Sequence, residues 1–202
     1  MRRRLVLASA SPARLTTLRA AGLDPVVIVS GVDELGYAVG ASAPYAQRLA
    51  TAKAGTVAAL PRAASSLVIG CDSVLDLEGR TLGKPHDPDE AVRRWRSMRG
   101  RSAELVTGHC VIDTTSGRHE QGVARTVVEF ADLSDAEIDA YVATREPLHV
   151  AGGFTIDGLG GAFVTRIEGD HHNVVGISLP LLRLMLGRLG VQWTDLWTDL
   201  SV

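Results

Sequence analysis

Apolar and polar positions alternate along this chain with two different periods, and the changes between them mark its elements. Residues 4–8 form a compact apolar run that ends at Ser9-Ala10-Ser11, with Pro12 well placed as a first helical residue. This predicts a short buried strand, then a helix to about Ala21 closed by Gly22. A second strand is predicted over 25–30, and the alanine-rich stretch 43–60 predicts a long helix stopped by Pro61. A third strand covers 66–71, and 74–82 suits a hairpin turning at Glu78-Gly79. Asp87-Pro88-Asp89-Glu90 starts a helix that reaches Met98, with acids in its first turn. The β-rich stretches 104–113 and 120–130 flank a Thr-Ser-Gly turn and pair as a long antiparallel hairpin. Ser134-Asp135-Ala136-Glu137 opens another helix with a capping box. A glycine-dense loop over 152–161, a strand near 162–167 and an amphipathic helix over 180–189 follow.

Strands and helices alternate early and antiparallel hairpins dominate the middle, so the fold class is α/β with a mixed sheet. At 202 residues and 46% hydrophobic, residues 1–202 suit one domain or one domain pinched into two lobes. The repeat Trp193-Thr-Asp-Leu-Trp197-Thr-Asp-Leu puts two tryptophans four residues apart on one helical face and reads as a tail folded onto the core. A net charge of -2 and a pI near 6.3 offer no bulk cationic surface for nucleic acid or an anionic membrane. Phosphate-binding charge must then be local, which points to a small anionic ligand. Cys71 and Cys110 lack CxxC companions and read as buried small hydrophobes. The basic start resembles a signal peptide, but Ser9, Ser11, Pro12 and Arg14 break its apolar run, so a cytoplasmic protein is expected.

Three places could carry chemistry. Ser9-Ala10-Ser11-Pro12-Ala13-Arg14 is a strand-to-helix turn whose backbone N–H groups, helix dipole, hydroxyls and guanidinium suit an anion, although a serine N-cap beside a solvated arginine reads equally well. Asp72, in Gly70-Cys71-Asp72-Ser73, follows an apolar strand, where an acid can hold a metal or accept a proton. The bland alternative is an Asx turn leading into the hairpin. Lys84 sits between Gly83 and Pro85, a restrained position for a phosphate clamp, while the surrounding stretch is one residue short of a Walker A loop and has proline in place of its Ser or Thr. Glu34 could supply a second metal carboxylate, and Lys53, alone in an alanine-rich helix, reads as a surface residue. His171 and His172, adjacent on an extended chain, would point to opposite sides and could not share a metal.

In order along the chain, LASASPAR, VDE, LATAKA, GCDS, LGKP, TGH, AGGFTIDGLGG and NVVGISLPLL resemble the Maf family of nucleotide pyrophosphatases over nearly the whole length. The resemblance implies a two-lobed, Maf/ITPase-like α/β fold with a mixed twisted sheet around a deep cleft, and a possible homodimer. It also implies hydrolysis of a nucleoside triphosphate to monophosphate and pyrophosphate with a divalent cation, Mg2+ or Mn2+. Carried over by position, Asp72 is the proton acceptor, Ser9, Ser11, Arg14, Lys53 and Lys84 bind the substrate's phosphates, and Glu34 joins Asp72 as a metal-associated carboxylate.

Ala13, Ser73 and Asp157 stand at the family's variable, base-selecting places. Relatives acting on dTTP and UTP read SPRR, GADT and GIQG there, whereas those preferring 7-methyl-GTP carry an aromatic, Gln and Glu. This chain matches neither set, so the base is open, pyrimidine and modified nucleotides included. The rival reading is a nucleotide-binding regulator of cell division with little turnover, against which the retained Asp72, Lys84, Arg14 and Glu34 argue. A general phosphatase would instead release orthophosphate.

Overall fold

The computed structural model describes residues 3–37 and 40–198. Met1 and Arg2 of the basic start, and the end of the tryptophan repeat from Asp199, lie outside the described residues. The described chain forms a seven-stranded mixed sheet. Strands β1 (Arg4–Leu7), β2 (Val26–Val27) and β3 (Ser66–Leu77) run parallel, with β1 in the middle. Antiparallel to β3 lie β4 (Arg80–Leu82) on one edge and β5 (Ser102–Asp113) on the other. The sheet continues antiparallel through β6 (His119–Phe130) to β7 (Val164–Gly169). The helices are α1 (Pro12–Ala20), α2 (Ser42–Ala58), α3 (Pro88–Met98), α4 (Asp135–Ala143), α5 (His171–Val175) and α6 (Leu179–Arg188).

Two expected pieces, the strand over 66–71 and the first arm of the 74–82 hairpin, are one continuous strand, β3. Asp72 therefore stands in mid-strand rather than at a carboxyl end or in an Asx turn. Along one edge, β3 pairs with β1 as far as Ile69 and then with β4 from Leu75 onward. Between those partners the edge is open, and Asp72 sits in that gap while β5 covers the other edge throughout. The hairpin turns through Glu78 (φ 52°) and Gly79 (φ 81°), the left-handed pair that matches strand twist in a two-residue loop.

The apolar residues sort into separate clusters along the long strands. One gathers the carboxyl half of β3 with α3, α4 and the ends of β5 and β6, centred on Trp95, whose ring meets Phe130, Tyr141 and Phe163 edge-on. Two others cover opposite faces of the amino half of β3, one under α1 and α6, the other under α2. This is the physical content of the two lobes: a shared set of strands carries different cores at its two ends, with Asp72 between them. Cys71 and Cys110 are free, buried and assigned to different clusters, as small hydrophobes would be.

Other expectations need correction. The strand over 25–30 contracts to Val26–Val27 because it lies at the sheet edge, where both side chains are exposed and the chain then turns to line a cleft. His171 and His172 are not extended but open α5, with rings 4.6 Å apart. Trp193 and Trp197 do not share a regular helical face, since only a short 3-10 turn, Trp193–Leu196, forms. The tail does fold back: Leu196 is buried and the Thr198 N–H donates to the Gly22 carbonyl. No helix among the described residues is long and apolar enough to cross a membrane.

Helix α2 approaches the sheet unusually closely, because its buried face is largely alanine and the strands below it carry glycine. A Cβ at Gly70 would lie 2.4 Å from the Ala50 carbonyl oxygen, and one at Gly108 would lie 2.4 Å from that of Ala46. Backbone cannot yield cheaply, so the added methyl of Gly108→Ala should push the helix outward. The expected cost is about 1–3 kcal/mol of unfolding free energy, read as a lower urea midpoint at unchanged m-value.

Candidate active site

The close approach of α2 explains why a lysine can be buried here. Ala46, Leu49, Ala50, Lys53, Ala54 and Val57 recur at helical spacing along the face turned to the sheet, so Lys53 projects inward with only 8% exposure. Its ammonium nitrogen lies 2.5 Å from Asp72 Oδ1 and 2.7 Å from Glu34 Oε1. One cation thus serves two carboxylates. Burial raises the Asp72 pKa above its ordinary value, and the Lys53 and Arg14 charges only partly offset this. Burial also opposes ionisation of Glu34, but the Lys53 hydrogen bond and the charges of Lys53, Lys84 and Arg14 prevail and hold it low.

Arg14 is buried instead of solvated, and it acts as a tie between elements. Its Nε donates to the Gly176 carbonyl at 2.7 Å, Nη1 to Ser9 Oγ at 3.0 Å and to the Cys71 carbonyl at 2.9 Å, and Nη2 to Ser73 Oγ at 3.0 Å. Four of five guanidinium N–H groups are committed, leaving one on Nη2 for a ligand. The turn after β1, the middle of β3 and the end of α5 are locked together by this one side chain. Ser11 is the α1 N-cap, accepting from the Arg14 N–H at 3.4 Å, and it leaves the Ala13 N–H without an acceptor among the described residues.

These groups stand in one cleft of about 550 Å³, a volume that suits a small organic ligand. Every site residue that the family resemblance implies lines it: Ser9, Ser11, Ala13 and Arg14 from the first turn, Glu34, Lys53, Asp72 and Ser73 on the floor, Lys84 and Asp157 from the other lobe. Lys84 is exposed and makes no hydrogen bond or ion pair among the described residues. Its backbone is nevertheless fixed, because the neighbouring Gly83 carbonyl accepts from Gly152 N and Arg94 Nη1.

Sequence reasoning overlooked two features. Tyr45 lines the cleft, and burial, with the charges of Asp72 and Glu34, raises its pKa. The signal was present, since Tyr45 precedes Lys53 by two helical turns on one face. His109 is fully buried beneath the site, donating from Nδ1 to the Thr107 carbonyl at 3.1 Å and accepting the Ser178 N–H on Nε2 at 2.9 Å. It secures the junction between Gly176 and α6, and so the carbonyl that Arg14 grips.

Among the described residues no group of three or more His, Cys, Asp or Glu side chains is gathered for a metal. The carboxylates nonetheless fit a hard cation. Asp72 and Glu34 each give one oxygen to Lys53, and the second oxygen of each has no hydrogen-bond partner among the described residues. One or two carboxylates plus substrate phosphates is the usual donor set for Mg2+.

The fold and site together define a two-lobed α/β protein with paired carboxylates, a buried lysine and a helix N-terminus around a ligand-sized cleft. The family model of Maf-like protein matches residues 4–189, and the chain belongs to that family. A nucleoside triphosphate pyrophosphatase of Streptomyces coelicolor is 60% identical over 196 residues, covering 97% of this chain and 95% of that protein. One of Streptomyces avermitilis is 59% identical over 197 residues, covering 98% and 96%. Another of Salinispora tropica is 56% identical, covering 96% and 88%.

Two outcomes follow from this geometry. Lys53→Met, which removes the cation that favours ionised Asp72, should move the Asp72 carboxyl titration to still higher pH, whereas Lys53→Arg should not, as followed by carbon NMR of labelled aspartate. His109 concerns stability. Burial lowers its pKa from 6.5 to about 4, with the Thr107 hydrogen bond opposing and the Arg14 charge assisting. The folded state then binds fewer protons than the unfolded state between those values. Stability should be complete above pH 6.5 and fall towards pH 4, by an amount on the order of 3 kcal/mol. His109→Gln should flatten that slope in urea titrations across the same range.

Proposed function

We propose that this protein hydrolyses a nucleoside triphosphate to the nucleoside monophosphate and pyrophosphate. The observation that carries the reading is the Asp72–Lys53–Glu34 cluster at the floor of the cleft, within reach of the anion-binding turn before α1. Its support also includes family membership and close relatives named for that activity.

The chemistry follows from charge. A triphosphate is strongly anionic, and the cleft offers it Lys84, the remaining Arg14 N–H, the Ala13 N–H at the α1 terminus and the Ser9 and Ser11 hydroxyls. Lys84, anchored through Gly83, reaches the phosphates from the second lobe and holds the chain of phosphoryl groups across the gap. Asp72 is buried yet ionisable, and accepts the proton of the attacking water; its raised pKa makes it a stronger base than an exposed aspartate. Lys53 keeps Asp72 charged and correctly turned, and its ammonium offsets negative charge as the α–β bond breaks and pyrophosphate departs. A Mg2+ or Mn2+ ion held by Glu34 and Asp72 with phosphate oxygens would supply further charge neutralisation and a more acidic water. Ala13, Ser73 and Asp157 flank the space left for the nucleoside.

Product analysis tests this with UTP, dTTP, CTP, GTP, 5-methyl-UTP and 7-methyl-GTP in magnesium or manganese. Monophosphate and pyrophosphate should appear together in equal amounts from at least one of them. Asp72→Asn should lower kcat by about 10²–10⁴-fold while the protein remains folded. Release of orthophosphate, or tight binding without turnover in calorimetry, would reject the proposal.

A further inference from the structure

The glycine-dense stretch 152–161 is wrapped around one carboxylate that does not itself line the cleft. Glu146 Oε1 accepts from the Tyr141 hydroxyl at 2.9 Å, the Thr155 hydroxyl at 2.5 Å and Gly160 N at 3.0 Å, and Oε2 accepts from Leu159 N at 3.0 Å. The glycines are where that wrapping leaves no room for a side chain. A Cβ at residue 158 would lie 2.6 Å from Glu146 Oε2, one at 160 would lie 2.4 Å from the Tyr141 hydroxyl oxygen, and one at 161 would lie 2.6 Å from the Ile156 carbonyl. The start of the stretch is pinned separately. Gly152 N donates to the Gly83 carbonyl, and Trp95 Nε1 donates to the Gly153 carbonyl at 2.8 Å.

Between these two pins, Phe154, Thr155, Ile156 and Asp157 form part of the cleft wall. The chemistry of that wall differs from the rest of the site. With Phe154 buried behind it against Phe130, the wall presents part-buried Ile156 and one exposed carboxylate, Asp157, and no cation, so a triphosphate would be repelled there. A ring face and a base edge rich in N–H donors would fit it. The phosphate-binding groups lie elsewhere, on the first turn, the floor and Lys84.

We infer that Glu146 is a positioning residue for base selection: its carboxylate sets segment 154–157 in the shape that reads the nucleoside, while the hydrolytic machinery stands independently of it. The inference rests on the triphosphate-hydrolase reading above. All four donors aim at two acceptor oxygens, an arrangement only an ionised carboxylate satisfies, because an amide turns one acceptor into a donor. Burial raises the Glu146 pKa, but the Thr155, Leu159, Gly160 and Tyr141 hydrogen bonds outweigh it and hold the group below its ordinary value.

The test is Glu146→Gln beside wild type, with kcat and KM measured for the same nucleotide panel in magnesium. The expected result is a ratio of kcat/KM between the best and the poorest accepted nucleotide that shrinks by about tenfold, carried mainly by KM, with kcat for the best substrate nearly kept. A general loosening of the fold would instead lower all nucleotides together and preserve the ratio, and that result overturns the inference. Should Glu146→Gln fail to fold, Tyr141→Phe removes one of the four donors without touching the cleft wall and is expected to shrink the ratio in the same direction by a smaller factor. An unchanged ratio there likewise overturns it. If wild type hydrolyses none of the nucleotides, the hydrolase reading fails together with the inference. If wild type discriminates and the variants do so equally, only the inference falls.

Discussion

The arrangement around which the site is organised is a single ammonium group held between two carboxylates. Lys53 can reach Asp72 and Glu34 only because α2 lies almost on the sheet, and it lies there because Gly70 and Gly108 remove side chains that would meet its carbonyls. Burying an unpaired lysine or aspartate is costly, whereas together they form a compact, mostly satisfied group. Two carboxylates against one ammonium leave a net negative charge on the floor of the cleft. Lys84, on the wall, and the partly committed Arg14 supply positive charge around it.

The gap in the edge of β3 makes room for this cluster. Had β1 or β4 extended across residues 70–74, Asp72 would have lain beside a strand instead of a cleft. The partner change also divides the apolar residues into cores at the two ends of the long strands, so the site falls where neither core fills the space. Arg14 then prevents the junction from opening. With four of its five N–H groups committed within the chain, it acts as a structural rivet with one N–H left over, a distinction that follows from hydrogen-bond capacity.

On the proposed function, the two sides of the cleft would divide the work of recognition. The first-turn and floor residues offer cations, hydroxyls and backbone N–H groups suited to phosphate. The segment after α4 offers apolar surface and Asp157, shaped from behind by Glu146. Such a division would let catalysis and selectivity vary separately, because a change in the loop need not disturb the carboxylate–lysine cluster.

Much of this was legible in the sequence. Local signals such as Ser11-Pro12, Asp87-Pro88, the Ser134–Glu137 capping box and the Glu78-Gly79 turn placed elements correctly, since caps and turns depend on neighbours within a few residues. Family motifs named in order gave the residues that line the cleft. What local pattern could not supply was which strand edge is open, because pairing is decided by residues far apart; hence Asp72 was expected at a strand end and β3 was expected in two pieces. Read as an isolated helical residue, Lys53 suggested the surface, and only the glycines of two other strands turn its face inward. Arg14, His109 and Glu146 show the same limit, since the polar groups each one satisfies lie partly on elements distant in the chain. The sequence by itself determined the elements, their caps and the chemical kinds of group available; tertiary structure decided which charges share a hydrogen bond, because burial and long-range pairing exist only once the sheet has formed.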